Sequence, residues 1–441
     1  MLDVKFVRTH KEEVQNAAKV KNMQVDLDRI LQLDDKKRAL QMQIDTLRAK
    51  RTDTANKIAK LFQSEKKSDH DVQTLKDEAQ TIKKMLHDLE PQLAEISEEL
   101  LELSLHLPNI PSTDTPVGAS DKENKVIASW GDKPKFDFPI KDHVALGRDL
   151  DLFDLERGTK VSGFRGYYLK NELAVLHMAV LQFAFEKMLS KGFMPMIVPT
   201  LVHKEALIGS GHFPFGKEEI YQIANPGRLA DGSKITDPTY LVGTAEPSLL
   251  AYRMNEILDE KELPLKMFGF SPCYRSEIGS YGKDTKGLYR LHEFMKIEQV
   301  VICQADHAIS DKIFEELRQN SEDILQDLKL PYQVLQICTG DMGAGKYKMY
   351  DIETWMPGRN AYSETHSNSH LTDWQTRRLN IRYKTRDGKK FYAHALNNTA
   401  LASPRILIAL LENYQQADGS VKIPEVLWKY TGFREIKKKI D

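Results

Sequence analysis

The sequence predicts an α+β protein: an N-terminal antiparallel helical hairpin, then a mixed, mostly antiparallel β-sheet flanked by helices. Val72, Leu75, Ala79, Ile82, Leu86, Leu89, Leu93, Ile96, Leu100, Leu103 and Leu107 alternate by three and four residues without a miss. A partner pattern upstream runs through Ile30, Leu33, Leu40, Ile44, Leu47, Ile58 and Leu61, interrupted at Lys37, Arg51 and Thr54. Heptads on either side of the polar SEKKSDHD, residues 64–71, read as a coiled-coil hairpin. Each helix would run roughly 35 residues, or about 50 Å. After residue 120, strand-like runs come in neighbouring pairs instead of alternating strictly with helices, which favours an antiparallel sheet over a doubly wound one.

The whole chain bounds the reading before any motif does. With 441 residues it can hold two or three domains and bury a substantial core. Lys and Arg number 63 against 64 Asp and Glu, so a nucleic-acid surface must come from local segregation of charge. Cys273, Cys303 and Cys338 are far apart and form no CxxC pair, which fits a reducing compartment and no disulfide scaffold. The opening MLDVKFVRTHKEE lacks a signal-peptide core, and no apolar run is expected to reach a membrane span. The expectation is a soluble, cytoplasmic protein with no membrane partner.

Between residues 36 and 67, ten Lys and Arg face three Asp and Glu, a net of about +7 on one strand of the hairpin and its tip. The second helix is acidic, with Glu90, Glu95, Glu98, Glu99 and Glu102. Attraction between the two strands explains this, and so does a basic face for a polyphosphate backbone. Pro91 falls on the outer face and should bend its helix. PNIPSTDTPVG, residues 108–118, reads as a proline-rich linker. Domains are therefore expected at 1–107, 108–118 and 119–441.

Further helices are expected at Asn171–Gly192, Glu246–Glu262, Ala305–Leu328, Asp373–Arg377 and Ser403–Gln416. Strands are expected at Met194–Val198, Ile220–Ile223, Lys266–Tyr274, Phe294–Ile302, Tyr332–Cys338, Met349–Met356 and Asn380–Lys384. The closing FREIKKKI reads as an exposed basic tail.

The most informative stretch is PLKMFGFSPCYRSEIGSYGKDTKGLYRLHEFMKIEQ, residues 264–299. Arg275, Ser276 and Glu277 follow its first apolar run, and Arg290, His292, Phe294 and Glu298 accompany the second. Guanidinium, carboxylate and aromatic ring together suit a nucleotide's phosphates, base edge and base face. GDMGAGK, residues 340–346, matches part of a P-loop, but Tyr347 replaces the metal-binding hydroxyl and a strand follows where a helix is needed. A turn between strands is the better reading. His366 and His370 sit four apart, but a strand-to-loop pattern with no third ligand in sight does not support zinc.

Residues 264–299 closely resemble motif 2 of the class II aminoacyl-tRNA synthetases, in the form found in the seryl enzymes. Asn171–Val198 followed by Pro199 is similar to motif 1, which builds the dimer interface in that family. NNTALASPRILIALLENYQ, residues 397–415, looks like motif 3, with a helix opening near Arg405. LVGTAEPSLLA carries the Thr244-Ala245-Glu246 triplet that the seryl family uses around its amino acid. The stretch 351–383 resembles the segment that holds ATP and magnesium, with Glu353, Glu364 and Ser367 in the matching positions. It departs from the usual pattern at His366 and Asn368, and motif 3 departs at Ala400 and Ser403-Pro404.

The resemblance implies a class II catalytic domain that activates L-serine with ATP and transfers it to tRNA(Ser), with tRNA(Sec) left open as a second acceptor. It implies Arg275 and Arg405 as catalytic residues, on the α- and γ-phosphates. Thr244, Ala245, Glu246, Glu298 and Thr399 are implied around serine. Arg275, Ser276, Glu277, Leu291, Phe294, Glu364, Thr365, His366, Ser367 and Arg405 are implied around ATP. Glu364 and Ser367 would hold Mg2+, and the chain would be a homodimer. The hairpin would bind tRNA through Lys36, Lys37, Arg38, Arg48, Lys50, Arg51, Lys57 and Lys60.

Taken singly, Thr244 also suits a helix cap, Glu246 the helix's first turn, and Glu298 a structural ion pair. Two other functions stay open: an inactive relative that binds tRNA or regulates, and an enzyme that charges a non-tRNA carrier.

Overall fold

Heptad spacing becomes two 37-residue helices, α3 (Leu27–Gln63) and α4 (Asp69–Leu105), preceded by α1 (Val4–Thr9) and α2 (Lys11–Val20). The computed structural model describes residues 1–63, 69–225, 227–278 and 286–438. The expected hairpin tip (64–68), part of the 264–299 loop (279–285) and the end of the basic tail (439–441) lie outside the described residues. The chain divides into two compact units, one of Leu2–Lys19 with Met23–Leu107, the other of Met1, Val20–Asn22 and Pro108–Asp441.

In the helical unit Ile44, Leu47, Ile82 and Leu86 form a buried seam. Arg29 pairs with Glu99, Arg48 with Glu90, and the Thr54 hydroxyl lies 3.4 Å from Glu78, so partners descend on α4 as they rise on α3. The hairpin is antiparallel. The Arg29 and Arg48 pairs, at 2.6 and 2.8 Å, realise the attraction between basic and acidic strands. Helix α4 continues through Pro91, which is exposed.

The second unit is built on eight strands: β1 (Lys125–Trp130), β2 (Met194–Ile197), β3 (Leu265–Tyr274), β4 (Glu293–Cys303), β5 (Tyr332–Gln336), β6 (Lys348–Met356), β7 (Ala361–His370) and β8 (His394–Ser403). They lie in the order β1-β5-β6-β7-β8-β4-β3-β2, antiparallel throughout except for the β2–β3 pair at one edge. Four helices matter here: α5 (Asn171–Ser190), α6 (Glu246–Ala251), α7 (His307–Asp327) and α8 (Arg405–Asn413). Leu173 and Val180 of α5, Phe314 and Leu317 of α7, and Ile406 and Leu410 of α8 share one core with Phe268 and Ile297 of the sheet. Asp306 caps α7 by accepting the Ala308 N–H at 2.7 Å.

Several expectations need correction. The helix expected over Glu246–Glu262 ends at Ala251, and Asn255, in the left-handed region at φ +64°, turns the chain into a short strand at Ile257–Asp259. Ile220–Ile223 is not a strand, and Gln222 makes only an isolated bridge to Tyr240. Asn380–Lys384 yields a strand at Arg382–Lys384, which joins a separate three-stranded sheet. Residues 108–118 belong to the second unit and pack into it. Asn109 is buried there, donating to Gly345 O at 3.1 Å and Leu371 O at 2.9 Å. The basic tail begins as a strand pair, with Ile436 buried opposite Val421.

By length and composition α5 is apolar enough to cross a membrane, contrary to the sequence expectation. Leu173, Leu176, Val180, Ala184 and Met188 are nevertheless buried in the core, as in a central helix of a globular unit.

Candidate active site

Where β3, β4, β7 and β8 meet the start of α8, they enclose a cavity of about 180 Å³. Phe294, Lys296 and Glu298 alternate along β4, so a strand's period of two turns all three toward it. Arg275 follows directly after β3, Glu364 to Ser367 lie on β7, Thr399 on β8, and Arg405 is the first residue of α8. The loop expected after β6 is therefore strand, and it brings Thr365, His366 and Ser369 to the same wall.

One end of the cavity is a carboxylate pocket. Glu298 is 3% exposed, in contact with the Lys296 ammonium, and accepts from the Thr399 hydroxyl at 3.3 Å. Burial pushes its carboxyl up, while Lys296 and Thr399 work the other way. Glu246, first residue of α6, accepts from Gln375 Nε2 at 2.6 Å and Asn397 Nδ2 at 2.7 Å. Thr244 Oγ1 accepts the Glu246 N–H at 3.4 Å. The first-turn carboxylate and the ion pair are present, whereas Thr244 stands one residue before the N-cap Ala245, which makes no side-chain cap bond; all three side chains line the cavity.

The other end is rich in guanidinium. Arg275 Nε donates to Gly243 O at 3.3 Å, and its guanidinium lies 5.3 Å from the Phe294 ring centre. Arg405 donates to Glu364 O at 2.8 Å, lies 3.3 Å from the Glu364 carboxylate, and stacks 4.4 Å from the Tyr289 ring centre. Burial opposes the charge on Arg405, but Glu364 and Tyr289 raise its pKa overall. Burial pushes His366 down to about 3, and does the same to His212 with help from Lys346, Arg275 and Lys296. Both rings are neutral at physiological pH.

Glu277, Leu291 and Phe294 also line the cavity as expected. Three expected members do not. Ala245 is buried in a neighbouring apolar cluster, and Ser276 turns away to donate its hydroxyl to Glu218 O at 2.9 Å. Glu353 is also off the lining and accepts from Gln333 at 2.7 Å. Sequence reasoning assigns no role to His212, Lys296, Lys346, Ser369 and Asn397, all of which line the wall. Lys346 closes the P-loop-like GDMGAGK, and its ammonium donates to Ser369 Oγ at 2.7 Å. The Gly-rich segment is the expected turn before β6.

His370 does find neighbours with metal-ligating atoms, namely His307 and Asp311 rather than His366. Its Nδ1 accepts the Thr372 N–H at 3.1 Å, which leaves the ring proton on Nε2, 3.6 Å from Asp311. A ring in that tautomer carries its proton on Nε2, with no hydrogen-bond acceptor among the described residues, and has no lone pair for a metal there.

A cation has better support beside Glu364. The partly buried Asp351 lies opposite Ser367 in the β6–β7 register, and its buried Oδ1 has no hydrogen-bond partner among the described residues. Burial and then the Glu364 charge push its carboxyl well up. Carboxylate and hydroxyl oxygens of this kind suit a hard divalent cation.

Residues 1–111 match the family described as Seryl-tRNA synthetase N-terminal domain, and residues 232–414 match tRNA synthetase class II core domain (G, H, P, S and T). The chain is 44% identical to the serine–tRNA ligase of Deinococcus radiodurans over 99% of both chains. It is 43% identical to that of Treponema denticola, over 99% of this chain and 100% of the relative. Among solved structures, the seryl-tRNA synthetase from Pyrococcus horikoshii complexed with ATP aligns with a TM-score of 0.86 at 38% identity, covering 100% of both chains. The cytoplasmic serine–tRNA ligase from Naegleria fowleri in complex with AMP aligns with a TM-score of 0.83 at 29% identity, covering 100% of this chain and 99% of that one.

Proposed function

The chain belongs to the seryl-tRNA synthetase family, and we propose from that premise how its residues divide the work of a class II serine–tRNA ligase. The enzyme uses ATP to join serine to tRNA, and nothing in the comparisons favours an inactive relative or a carrier-charging enzyme. One observation supports the residue assignment above all: guanidinium, carboxylate and hydroxyl groups from five separate segments converge on one cavity.

In the first step the serine carboxylate attacks the α-phosphorus in line, forming seryl-adenylate as pyrophosphate leaves. In the second, a hydroxyl of the terminal tRNA ribose attacks the seryl carbonyl and AMP leaves. Neither step needs a strong acid or base, so positioning and charge neutralisation are the main contributions. Arg275 holds the α-phosphate against the serine carboxylate, and its bond to Gly243 O fixes the plane of the guanidinium. Arg405 meets the γ-phosphate at a helix N-terminus, where partial positive charge adds to its own. Glu277 accepts from the adenine amino edge and Phe294 takes the base face. Glu246 and Thr244 receive the serine ammonium, while Glu298 and Thr399 receive its hydroxyl. Glu364 and Ser367 would hold Mg2+, which when bound supplies charge neutralisation to the phosphates.

The basic strand of the hairpin is the proposed tRNA(Ser) contact, with tRNA(Sec) a second candidate, and the cytoplasm is the proposed location. Leu2–Lys19 with Met23–Leu107 are proposed as the arm, and Met1, Val20–Asn22 and Pro108 onward as the catalytic unit. A homodimer is proposed through the motif 1 surface, where Val175 and Met178 of α5 and Met194 and Ile197 of β2 are exposed. Such an apolar patch marks an interface. Sedimentation should show a dimer, and Ile197→Arg, at a side chain 77% exposed, should yield monomers. A wild-type monomer at micromolar concentration would remove the dimer from this reading.

Serine-dependent exchange of pyrophosphate into ATP, followed by charging of serine tRNA, tests the assignment. Arg275→Ala should lower exchange by at least about 10²-fold, the scale of losing one preorganised donor. Cys273→Ser should leave it nearly unchanged, because burial holds that thiol above its ordinary pKa as a protonated spectator. The opposite ranking of these two variants would show that the residues around β3 have been misread.

A further inference from the structure

Glu277 sits just past β3 at φ +54°, and two guanidinium groups converge on its carboxylate. Arg290 Nη1 donates to Oε2 at 2.9 Å, and Arg165 Nη1 lies 3.6 Å from the same oxygen. Arg290 lines the cavity, whereas Arg165 does not. The Arg165 side chain is 3% exposed and approaches Glu277 from behind the wall. It comes from FRGYY, residues 164–168, far from the segments that supply the cavity.

The backbone there is constrained in a way that serves this placement. Arg165 holds φ +64°, a left-handed conformation that residues with a Cβ rarely adopt. Gly163 precedes it at φ +81°. At Gly166 an added Cβ would lie 2.4 Å from Gly158 O, so the turn is pressed onto the helix Leu155–Ser162. A buried guanidinium is costly unless an anion meets it, and Glu277 is the carboxylate that does. Two positive charges converging on one carboxylate oxygen, one of them hydrogen-bonded to it, restrict how the carboxylate can turn.

We propose that Arg165 is a positioning residue for nucleotide recognition, holding the Glu277 carboxylate oriented toward the exocyclic amino group of the base. This rests on the reading of Glu277 as the adenine-edge acceptor. An ionised carboxylate only accepts hydrogen bonds, so it rewards a base that offers an amino group and repels one that offers a carbonyl. Loss of Arg165 therefore weakens the amino-group contact while leaving the phosphate and serine contacts in place.

The test is serine-dependent pyrophosphate exchange with ATP and with purine ribonucleoside triphosphate, which lacks the amino group. Arg165→Ala should raise KM for ATP about 10-fold, the scale of a misaligned charged hydrogen bond. It should leave kcat and the KM for serine near wild type and narrow the preference for ATP over the analogue by a similar factor. Arg165→Lys, which keeps the charge but loses the fork, should recover part of the preference.

Glu277→Gln separates the two ideas. If it leaves the preference intact, the adenine-edge reading fails and the positioning role with it. If it narrows the preference while Arg165→Ala does not, only the positioning role fails. An equal rise in KM for both nucleotides in Arg165→Ala would mark a purely structural residue and overturn the proposal. Should the alanine variant not fold, Arg165→Gln and Arg165→Lys give the same readout with the same outcomes.

Discussion

Serine is expected to support pyrophosphate exchange roughly 10⁴-fold better than alanine, as befits a site built to pair a substrate hydroxyl. The receiving carboxylate, Glu298, is 3% exposed, so water cannot readily replace a missing substrate hydroxyl. Alanine would occupy the same volume and leave an acceptor turned toward a methyl group. The factor belongs at the low end of what such sites achieve because Glu298 is not otherwise bare. Lys296 contacts it and Thr399 donates to it at 3.3 Å. Threonine keeps the hydroxyl but adds a methyl to a wall already set by Thr399 and Thr244, and should be rejected on steric grounds. Thr399→Val should lower the kcat/KM for serine while leaving that for alanine nearly unchanged. Comparable exchange with serine and alanine would remove Glu298 and Thr399 from the amino-acid site.

The parts of this architecture legible in the sequence are those whose signal is local. Heptads specify the hairpin because a helix face depends only on spacing along one chain, and the buried seam of Ile44, Leu47, Ile82 and Leu86 uses those positions. Arg275, Glu277, Phe294 and Glu298 can be read together because Phe294 and Glu298 lie on β4 and Arg275 and Glu277 follow directly on its neighbour β3.

Strand β7 reads as a loop in the sequence because YSETHSNSH has no apolar period. Its polar side chains are buried against partners remote in sequence. Thr365 meets Thr354 at 2.7 Å, Asn368 donates to Phe314 O at 2.9 Å, and Ser369 accepts from Lys346 at 2.7 Å. Lys346 belongs to a motif that fails as a P-loop, although its own side chain reaches the cavity. Gln375, which orients Glu246 from 129 positions away, carries no sequence signal at all. Pro108–Gly118 resembles a linker by composition, but Asn109 and Ser112 are buried by strands and turns that the sequence does not place beside them.

Removing the hairpin from residue 27 to 107 should leave adenylate formation largely intact and lower tRNA charging by about 10³-fold, the scale set by several phosphate contacts. The hairpin packs on itself through its seam and through Arg29–Glu99 and Arg48–Glu90. The cut spares Lys21, which belongs to the second unit and donates to Ala344 O at 3.0 Å and Lys346 O at 2.6 Å. Because Lys346 lines the cavity, a deletion beginning at Met1 would confound the two activities.

The cut also strips α1 of its partner α3, so a variant that keeps all packing is the necessary companion. Lys50, Arg51 and Lys60 have no ion-pair partner among the described residues, nor do Lys36 and Lys37. Arg38, Arg48 and Lys57 are already paired with Asp34, Glu90 and Asp53. Cations without an internal partner displace counterions from a phosphate backbone most fully, so their contribution should fall steeply with salt. Neutralising Lys50, Arg51, Lys57 and Lys60 together should weaken tRNA binding and flatten its dependence on log salt by about 0.7 to 0.9 for each phosphate no longer neutralised. Lys57 should contribute least, since Asp53 lies 2.7 Å from its ammonium. Full charging by both the shortened chain and the neutralised one would make the hairpin a structural element and place the tRNA contacts elsewhere.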